Sequence, residues 1–184
     1  MRIVAGAARG RRLATPAPAT RPTSDRTREA LFNTLAGYVD LDGARVLDLY
    51  AGTGAVGLEA LSRGAEQVVL VESNRRAVDV IRRNVETVAL PGVTVVARAV
   101  TAFLHDEPDE PDRPFDLVFA DPPYAETGGA WVEHAAGPGR LARDGVIVIE
   151  RDARSGSPFD GIASLTPVRE ARYGDTVLWY GRPR

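Results

Sequence analysis

The stretch Arg45-Val-Leu-Asp-Leu-Tyr-Ala-Gly-Thr-Gly-Ala-Val-Gly57 limits the possible folds of this chain more than any other part of it. Its apolar first half predicts a buried strand over residues 45–50, and its second half predicts a helix over residues 55–63. The glycines between these elements allow a sharp turn and let a ligand approach the backbone, while the start of the helix offers unpaired N–H groups. This order of elements is typical of a ligand-binding turn.

An acidic residue follows the next predicted strand. The apolar run Val68–Val71 ends on Glu72, whose carboxylate can accept hydrogen bonds from a ribose diol. The glycines of the turn also match the spacing found in dinucleotide-binding proteins. However, Asp48 lies four residues before Gly52, where its charge would repel a pyrophosphate. These residues favour an adenosine ligand other than a dinucleotide.

The rest of the chain alternates between strands and helices. The strands are nearly continuous apolar runs, which are typical of a parallel sheet covered by helices on both faces. We predict strands over 45–50, 67–72, 93–97, 115–120 and 145–150, and helices over 55–63, 74–88, 100–105 and roughly 128–142. A turn at Gly174-Asp175 between the runs 165–173 and 176–180 predicts a closing antiparallel hairpin.

The N-terminus is basic. Residues 1–28 carry a net charge of +6, and the remainder of the chain carries −8. We predict two short strands within residues 2–14, a hairpin extension over residues 1–20, a main domain over residues 21–184 and a helix that is capped by Thr23 and stops at Gly37. The charge indicates a partner that bears phosphate groups. The candidate contacts are Arg2, Arg9, Arg11, Arg12 and Arg21, whereas Arg26 and Arg28 could equally pair with acids in the body.

Composition excludes several classes of protein. The chain has 184 residues, 44% of them hydrophobic, which suits one globular domain. It has no cysteine, so disulfides, thiolate chemistry and Cys-type zinc sites are excluded. No apolar stretch approaches the ~20 residues of a membrane span. We therefore expect a cytoplasmic monomer without a bound metal.

Asp121-Pro-Pro-Tyr124 indicates the chemistry most strongly. It directly follows the predicted strand 115–120, at the end of an open α/β sheet where ligands bind. The two prolines fix φ near about −65° and remove two donors, so the carbonyl groups of Asp121 and Pro122 point outward as rigid acceptors. An amino group bonded to them turns its lone pair toward an electrophile, and Tyr124 can stack on the base that carries it. The motif favours in-line transfer of a methyl group to an exocyclic amine, a reaction that depends chiefly on positioning.

Together these motifs resemble the S-adenosylmethionine-dependent methyltransferases that act on amino groups. The resemblance rests on Asp48-x-x-x-Gly52-x-Gly54, Glu72 and Asp121-Pro-Pro-Tyr124. Two further stretches resemble the bacterial guanine-N2 methyltransferases of 16S ribosomal RNA: Met1-Arg-Ile-Val-Ala-Gly6 and Arg21-Pro-Thr-Ser-Asp-Arg-Thr-Arg-Glu-Ala-Leu-Phe-Asn-Thr-Leu35.

The resemblance implies a Rossmann-like, seven-stranded class I methyltransferase fold, mostly parallel, with a small N-terminal β-hairpin extension. It implies S-adenosylmethionine as cofactor, S-adenosylhomocysteine as product, and a guanine of 16S rRNA in an assembled or partly assembled 30S subunit as substrate. The implied catalytic residues are Asp121, Pro122, Pro123 and Tyr124. The implied cofactor contacts are Thr23, Asp48, Tyr50, Ala51, Gly52, Thr53, Gly54, Glu72, Ser73 and Val100.

The chain departs from related enzymes after the third strand. They often carry an Asp or Asn that contacts the adenine amino group, whereas this chain reads Val96-Ala-Arg-Ala-Val-Thr101. The adenine would then be bound by backbone groups near residues 99–101 or by water. Two other functions stay open: methylation of adenine N6 in DNA or RNA, and a catalytically inactive RNA-binding assembly factor.

Overall fold

The computed structural model describes residues 1–15, 25–108, 113–123 and 129–184. Within these ranges the chain forms one seven-stranded sheet with helices on both faces. The helices are α1 (Asp25–Leu35), α2 (Ala55–Ser62), α3 (Arg75–Val88), α4 (Val100–His105) and α5 (Ala130–Ala135). The strands are β1 (Arg45–Leu49), β2 (Gln67–Val71), β3 (Val93–Val96), β4 (Phe115–Ala120), β5 (Leu141–Asp152), β6 (Leu165–Tyr173) and β7 (Thr176–Pro183).

The strand order is β3-β2-β1-β4-β5-β7-β6. The first five strands run parallel to one another, and β7 runs antiparallel to both β5 and β6. This confirms the predicted mostly parallel sheet with an antiparallel C-terminal hairpin. The strand order reverses between β1 and β4, because the chain moves outward from β1 to β3 and then returns to the other side of β1. Open α/β sheets bind ligands beyond the carboxyl ends of the strands at such a reversal.

Side chains alternate between the two faces of the buried strands. Val46, Leu70 and Phe119 pack in one apolar cluster with α1, α2 and α3. Leu47 and Val71 point the other way and pack with α4 and α5. Because both faces are covered, the strands read as continuous apolar runs rather than as alternating patterns.

The N-terminal segment, defined here as residues 1–15, pairs with itself over a shorter length than the two predicted strands. Only Arg2 and Arg12 form an antiparallel bridge. Two backbone N–H groups of the segment instead donate to the carboxylate of Glu59 in α2, at 2.8 and 3.0 Å: those of Val4 and Ala5. The predicted antiparallel pairing around a turn is present, since the N–H of Ile3 donates to the carbonyl of Arg11 at 3.0 Å and the N–H of Leu13 donates to that of Met1 at 3.1 Å. The pairing is short because α2 supplies the acceptor for the residues that follow Ile3.

The N-terminal segment packs tightly on α2. Ile3, Ala8 and Leu13 are buried in the same apolar cluster as α1 and α2. At Gly6, where φ is +80°, a Cβ atom would lie 1.6 Å from the carbonyl oxygen of Ser62, so only glycine fits. The proposed boundary at residue 20 lies outside the described residues and stays a prediction.

Arg28, whose role the sequence left open, lies in the body of the protein. Its guanidinium is fully buried, pairs with Asp25 at 2.9 Å and Glu59 at 3.5 Å, and donates to the carbonyl oxygen of Arg2. Glu59 also accepts a hydrogen bond from Arg63 at 2.9 Å. This buried ion network therefore joins the N-terminal segment, α1 and α2.

The predicted helix over 128–142 is wrong in length. α5 spans only Ala130–Ala135, and β5 begins at Leu141 rather than at residue 145. Pro138 lacks a backbone N–H, and Gly139 has a φ of +75°, so the chain cannot continue as a helix toward β5.

The other predicted elements are confirmed, with small changes at their ends, except that the predicted cap at Thr23 lies outside the described residues. Asn74 caps α3 as predicted, because its side chain accepts hydrogen bonds from the N–H groups of Arg76 and Ala77. α3, with 14 residues, is the longest helix in the described ranges, and none of those helices has the length and apolar character needed to cross a bilayer.

Replacing Glu59 with alanine should lower the free energy of unfolding by about 3–5 kcal/mol, because buried Arg28 and two backbone N–H groups lose their acceptor. Chemical denaturation followed by circular dichroism measures this loss. The control is Glu66→Ala, which removes an exposed ion pair with Arg113 at 3.2 Å and should cost less than ~1 kcal/mol. Equal losses in the two variants would contradict the role assigned to Glu59.

Candidate active site

Four acidic side chains lie near the carboxyl ends of neighbouring strands. The strand register pairs Leu49 with both Val71 and Ala120, and Ala120 with Ile149. The residues that follow therefore form one row across the sheet, which contains Glu72, Asp121 and Glu150, while Asp48 lies one residue before Leu49. The alternation of side chains places all four acids on the face that carries α1, α2 and α3. We call these four residues the acidic cluster: Asp48, Glu72, Asp121 and Glu150.

The glycine turn, residues 50–54, has the sharp geometry that the sequence predicts. Tyr50, Gly52 and Gly54 have φ values of +58°, +57° and +74°. The backbone N–H of Ala51 donates to the carbonyl of Val71 at 3.0 Å, which fixes the start of the turn on β2. Tyr50 holds a left-handed conformation that costs about 1–3 kcal/mol for a residue with a side chain. Such strain is typical of functional sites.

Asp48 is buried on β1, with 2% of its surface exposed. Its carboxylate accepts a hydrogen bond from the backbone N–H of Gly57 at 2.9 Å, in the first turn of α2. Burial and, to a smaller extent, repulsion from Glu72 raise the pKa of Asp48 to about 7, although the Gly57 bond opposes this rise. Asp48 therefore anchors α2, and its predicted contact with the methionine part of the cofactor stays a prediction.

Gly57 permits close packing of α2 on the sheet. A Cβ atom at this position would lie 2.4 Å from Leu70 and 2.7 Å from Val68. It would also lie 3.3 Å from the carboxylate of Asp48. The third glycine of the motif is thus required by helix–sheet contact rather than by a pyrophosphate.

Glu72 holds the glycine turn in place. One carboxylate oxygen accepts a hydrogen bond from the N–H of Gly52 at 2.9 Å, and the other accepts one from the N–H of Asn74 at 2.8 Å. Each oxygen keeps a second lone pair. The residue is partly exposed, so it can also accept from a ribose diol, which fits the cofactor that the resemblance implies.

Asp121 directly follows β4, and its N–H donates to the carbonyl of Leu49 on β1 at 3.4 Å. The residue is exposed beyond the carboxyl ends of β1 and β4, a region that we call the cleft, although nearby protein groups partly remove water from its carboxyl group. The loss of hydration, followed by repulsion from Glu150 and Asp48, raises the pKa of Asp121 well above its usual range. Pro122 and Pro123 follow in the same exposed stretch.

The remaining predicted cofactor residues lie around the same edge. Ser73 is exposed directly after Glu72, and Thr53 is partly exposed within the turn. Tyr50 packs edge-on against buried Trp131, with ring centroids 5.7 Å apart. Val100 is buried at the start of α4, so only its backbone is suited to contact an adenine. Three predicted site residues lie outside the described part of the chain: Arg21, Thr23 and Tyr124.

The arginines of the N-terminal segment divide into two groups. Arg11 donates to the carbonyl groups of Thr87 and Val88, so it closes the end of α3. Arg2, Arg9 and Arg12 are exposed, and the structure gives their side chains no hydrogen-bond or ion-pair partner among the described residues. Arg2 and Arg9 also line a surface cavity of about 330 Å³ near α1.

Two site residues were missed by the sequence reasoning. Glu150 ends an apolar run of β5 in the same way as Glu72 ends one of β2, so the pattern could have revealed it. Asn84 is a polar residue on the apolar face of α3, between Ile81 and Val88, and it is fully buried. In the described residues, no group of three or more His, Asp or Glu side chains is placed to hold a metal ion.

The strand order, the glycine turn and the position of the acids define a class I methyltransferase fold. The family model described as Conserved hypothetical protein 95 matches residues 1–182. The chain belongs to this family.

Known proteins resemble the chain over most of its length. Ribosomal RNA small subunit methyltransferase D of Escherichia coli K12 is 37% identical over 164 residues, which cover 86% of this chain and 78% of that protein. The structure of a hypothetical protein of Thermus thermophilus superposes with a TM-score of 0.81 at 34% identity and covers 98% of both chains. Magnesium protoporphyrin IX methyltransferase of Synechocystis PCC 6803, solved with bound SAM, shares the fold at 15% identity with a TM-score of 0.66, covering 86% of this chain and 79% of that one.

The affinity for S-adenosylhomocysteine should rise as the pH increases from about 6 to 8. Asp48, whose pKa is raised to about 7, becomes charged over this range, and on the predicted contact with the methionine part its charge would attract the ligand's ammonium group. The stability changes in the opposite direction. Between pH 3.8 and about 7 the folded protein holds a proton that the unfolded chain has lost, so the contribution of Asp48 to stability falls as the pH rises.

Asp48→Asn is the matched variant, because its side-chain oxygen can still accept from Gly57 while the charge is removed. Calorimetric titration and thermal unfolding from pH 5 to 8 should show a flatter pH dependence of both affinity and stability. An unchanged pH dependence of affinity in Asp48→Asn would rule out the role of this carboxylate.

Proposed function

We propose that this chain transfers a methyl group from S-adenosylmethionine to the exocyclic N2 of a guanine in 16S rRNA, giving N2-methylguanosine and S-adenosylhomocysteine. The observation that carries the proposal is the position of Asp121-Pro122-Pro123. This stretch leaves β4 where the strand order reverses, directly beside the glycine turn that follows β1. The E. coli relative is named for methylation of small-subunit rRNA, which supports the same substrate here.

The cofactor fits the side of the cleft formed by β1 and β2. Glu72 has lone pairs free for the ribose hydroxyls, and the strained turn exposes backbone groups beside it. The acidic cluster supplies negative charge for the ammonium and sulfonium groups. When bound, the cofactor supplies a methyl group on a positively charged sulfur.

The base would enter beside β4. The carbonyl groups of Asp121 and Pro122 accept from the two hydrogens of N2, and this directs the nitrogen lone pair at the methyl carbon. As the N–C bond forms and the C–S bond breaks, N2 becomes acidic and releases a proton. The carboxylate of Asp121, with its raised pKa, can accept that proton. Most of the rate enhancement would come from positioning, worth up to ~7–11 kcal/mol in favourable cases.

The N-terminal segment would hold the RNA backbone. Arg2, Arg9 and Arg12 are exposed and available for phosphate contacts, each releasing roughly one counterion. We include Arg21 in this proposed RNA-binding surface only because of its place in the basic N-terminal sequence. The substrate would be 16S rRNA within an assembled or partly assembled 30S subunit, bound by a monomer in the cytoplasm.

Two other functions make different predictions. A methyltransferase for adenine N6 would use the same carbonyl acceptors, because adenine also carries an exocyclic amine. An inactive RNA-binding assembly factor would not need mutually repelling carboxylates at the ends of neighbouring strands, since they lower stability without helping to bind RNA. The acidic cluster therefore favours an enzyme.

A labelling assay tests the proposed function. The protein is incubated with methyl-labelled S-adenosylmethionine and three substrates: 30S subunits from cells lacking the protein, naked 16S rRNA and DNA. We expect label in the 30S subunits, recovered as N2-methylguanosine by mass spectrometry of nucleosides. Label recovered as N6-methyladenosine, or only in DNA, would contradict the proposal.

The same assay tests Asp121. Asp121→Ala should reduce methylation by at least ~100-fold, the lower end of typical general-base effects, while leaving RNA affinity largely unchanged. Asp121→Asn keeps the side-chain shape and the backbone carbonyls, so it isolates the effect of the charge. Wild-type turnover in both variants would exclude a catalytic role for this side chain.

Replacing Arg9 and Arg12 with alanine should weaken RNA binding and reduce the slope of its salt dependence by about 2, one for each lost phosphate contact. Binding to 30S subunits at several salt concentrations measures this, and the affinity for S-adenosylhomocysteine should not change. Arg143→Ala with Arg169→Ala is the control, since it removes the same charge from exposed positions on β5 and β6. Equal effects of the two double variants would show that net charge, rather than the N-terminal segment, governs binding.

A further inference from the structure

Asn84 joins three parts of the molecule by hydrogen bonds. It lies in α3 with no exposed surface. Its side-chain oxygen accepts from the N–H of Ala14 at 2.7 Å. Its side-chain nitrogen donates to the carbonyl of Ala14 at 3.1 Å and to the carbonyl of Thr53 at 2.9 Å. One amide group thus binds both the N-terminal segment and the glycine turn.

These bonds show that Asn84 is more than a polar residue tolerated in a core. Its neighbours along the apolar face of α3, Ile81 and Val88, are fully buried hydrophobic residues, and a leucine would satisfy the same packing. All three of its hydrogen bonds leave its own helix, and both amide donors are used. Burying an amide costs free energy unless such partners are present, so the bonds to Ala14 and the bond to Thr53 depend on each other. We call these three hydrogen bonds the clamp.

The clamp contacts the glycine turn, on the side of the cleft where the cofactor is proposed to bind. Thr53 is held by Asn84 through its carbonyl, and the adjacent Gly52 is held by Glu72 through its N–H at 2.9 Å. A second, weaker contact runs in parallel, since the hydroxyl of Thr53 lies 3.6 Å from the sulfur of Met1. Displacement of the N-terminal segment would remove two of the three hydrogen bonds that orient Asn84, together with the Met1 contact, so Thr53 would be held less firmly.

We propose that Asn84 is a positioning residue that couples the docking of the N-terminal segment to the shape of the glycine turn. Cofactor binding, which favours one shape of the turn, favours the docked segment, and a ligand that favours the docked segment tightens cofactor binding by the same factor. Where that ligand is RNA, the inference rests on the proposed function. The coupling between the N-terminal segment and the cofactor site does not rest on the proposed function.

Hydrogen exchange with and without S-adenosylhomocysteine tests the link. In the wild-type protein the ligand should slow exchange of backbone amides in residues 3–14. Asn84→Asp keeps the size of the side chain but cannot donate to the two carbonyls while ionised, and Asn84→Ala removes all three bonds. We expect both variants to lose the protection of the segment and to bind S-adenosylhomocysteine about tenfold more weakly, within the usual range of coupled sites.

Glu86→Ala, at an exposed position on the same helix, is the matched control and should behave as the wild type. Ligand-induced protection of the segment in Asn84→Ala equal to that in the wild type would overturn the proposal. If the Asn84 variants do not fold, Arg11→Ala replaces them, because it frees the segment from the end of α3 without touching the turn. Faster exchange in the segment with unchanged affinity for S-adenosylhomocysteine would then overturn the coupling.

A third measurement separates this inference from the proposed function. In the wild type, saturating 30S subunits should tighten S-adenosylhomocysteine binding about tenfold, and this gain should be lost in Asn84→Asp. If the protein does not methylate rRNA, the subunits will have no effect, yet the exchange experiment will still show the coupling between segment and turn.

Discussion

The hydrogen bond from the N–H of Gly57 to the buried carboxylate of Asp48 sets the position of α2 against β1. It satisfies a donor that a helix start leaves unpaired and, once Asp48 ionises above its raised pKa of about 7, it places a negative charge where the helix dipole is positive. The bond holds α2 close to the sheet, and at this distance a Cβ atom on Gly57 would meet Leu70 and Val68 of β2. The glycine turn between β1 and α2 is then forced into the left-handed conformations seen at Tyr50 and Gly52.

The protein uses the same arrangement at several positions among the described residues, and three of them order the glycine turn, α2 and the N-terminal segment. Asp48, Glu72 and Glu59 are all carboxylates that accept backbone N–H bonds from a different segment. In each case the carboxylate orders a loop or a helix end that would otherwise be loosely held. The first two of these acids also line the cleft, so the residues that build the turn give the site its negative charge. The carboxylates that hold the turn in place are therefore also a source of the negative charge of the site.

The sequence predicted the sheet well because short continuous apolar runs are typical of strands that are buried on both faces. It predicted Asp48, Glu72 and Asp121 because each ends or interrupts such a run next to a glycine or proline motif. It did not predict how the N-terminal segment bonds, since Val4 and Ala5 find their acceptor in Glu59, more than fifty residues later. Asn84 was missed for the same reason: its partners are backbone groups, which carry no sequence signal.

The separation of charge explains how an acidic cleft could serve an RNA substrate. On the proposed function, phosphate groups are repelled by the acidic cluster and attracted to Arg2, Arg9 and Arg12, so the RNA backbone is held on the N-terminal segment. The guanine base is neutral and can enter the cleft without this penalty. Because Asn84 links the segment to the turn, the backbone is bound by an element whose position also shapes the cofactor site. The charge of the protein therefore directs the RNA backbone to the N-terminal segment and leaves the cleft to the neutral base, and the side-chain amide of Asn84 connects these two sites.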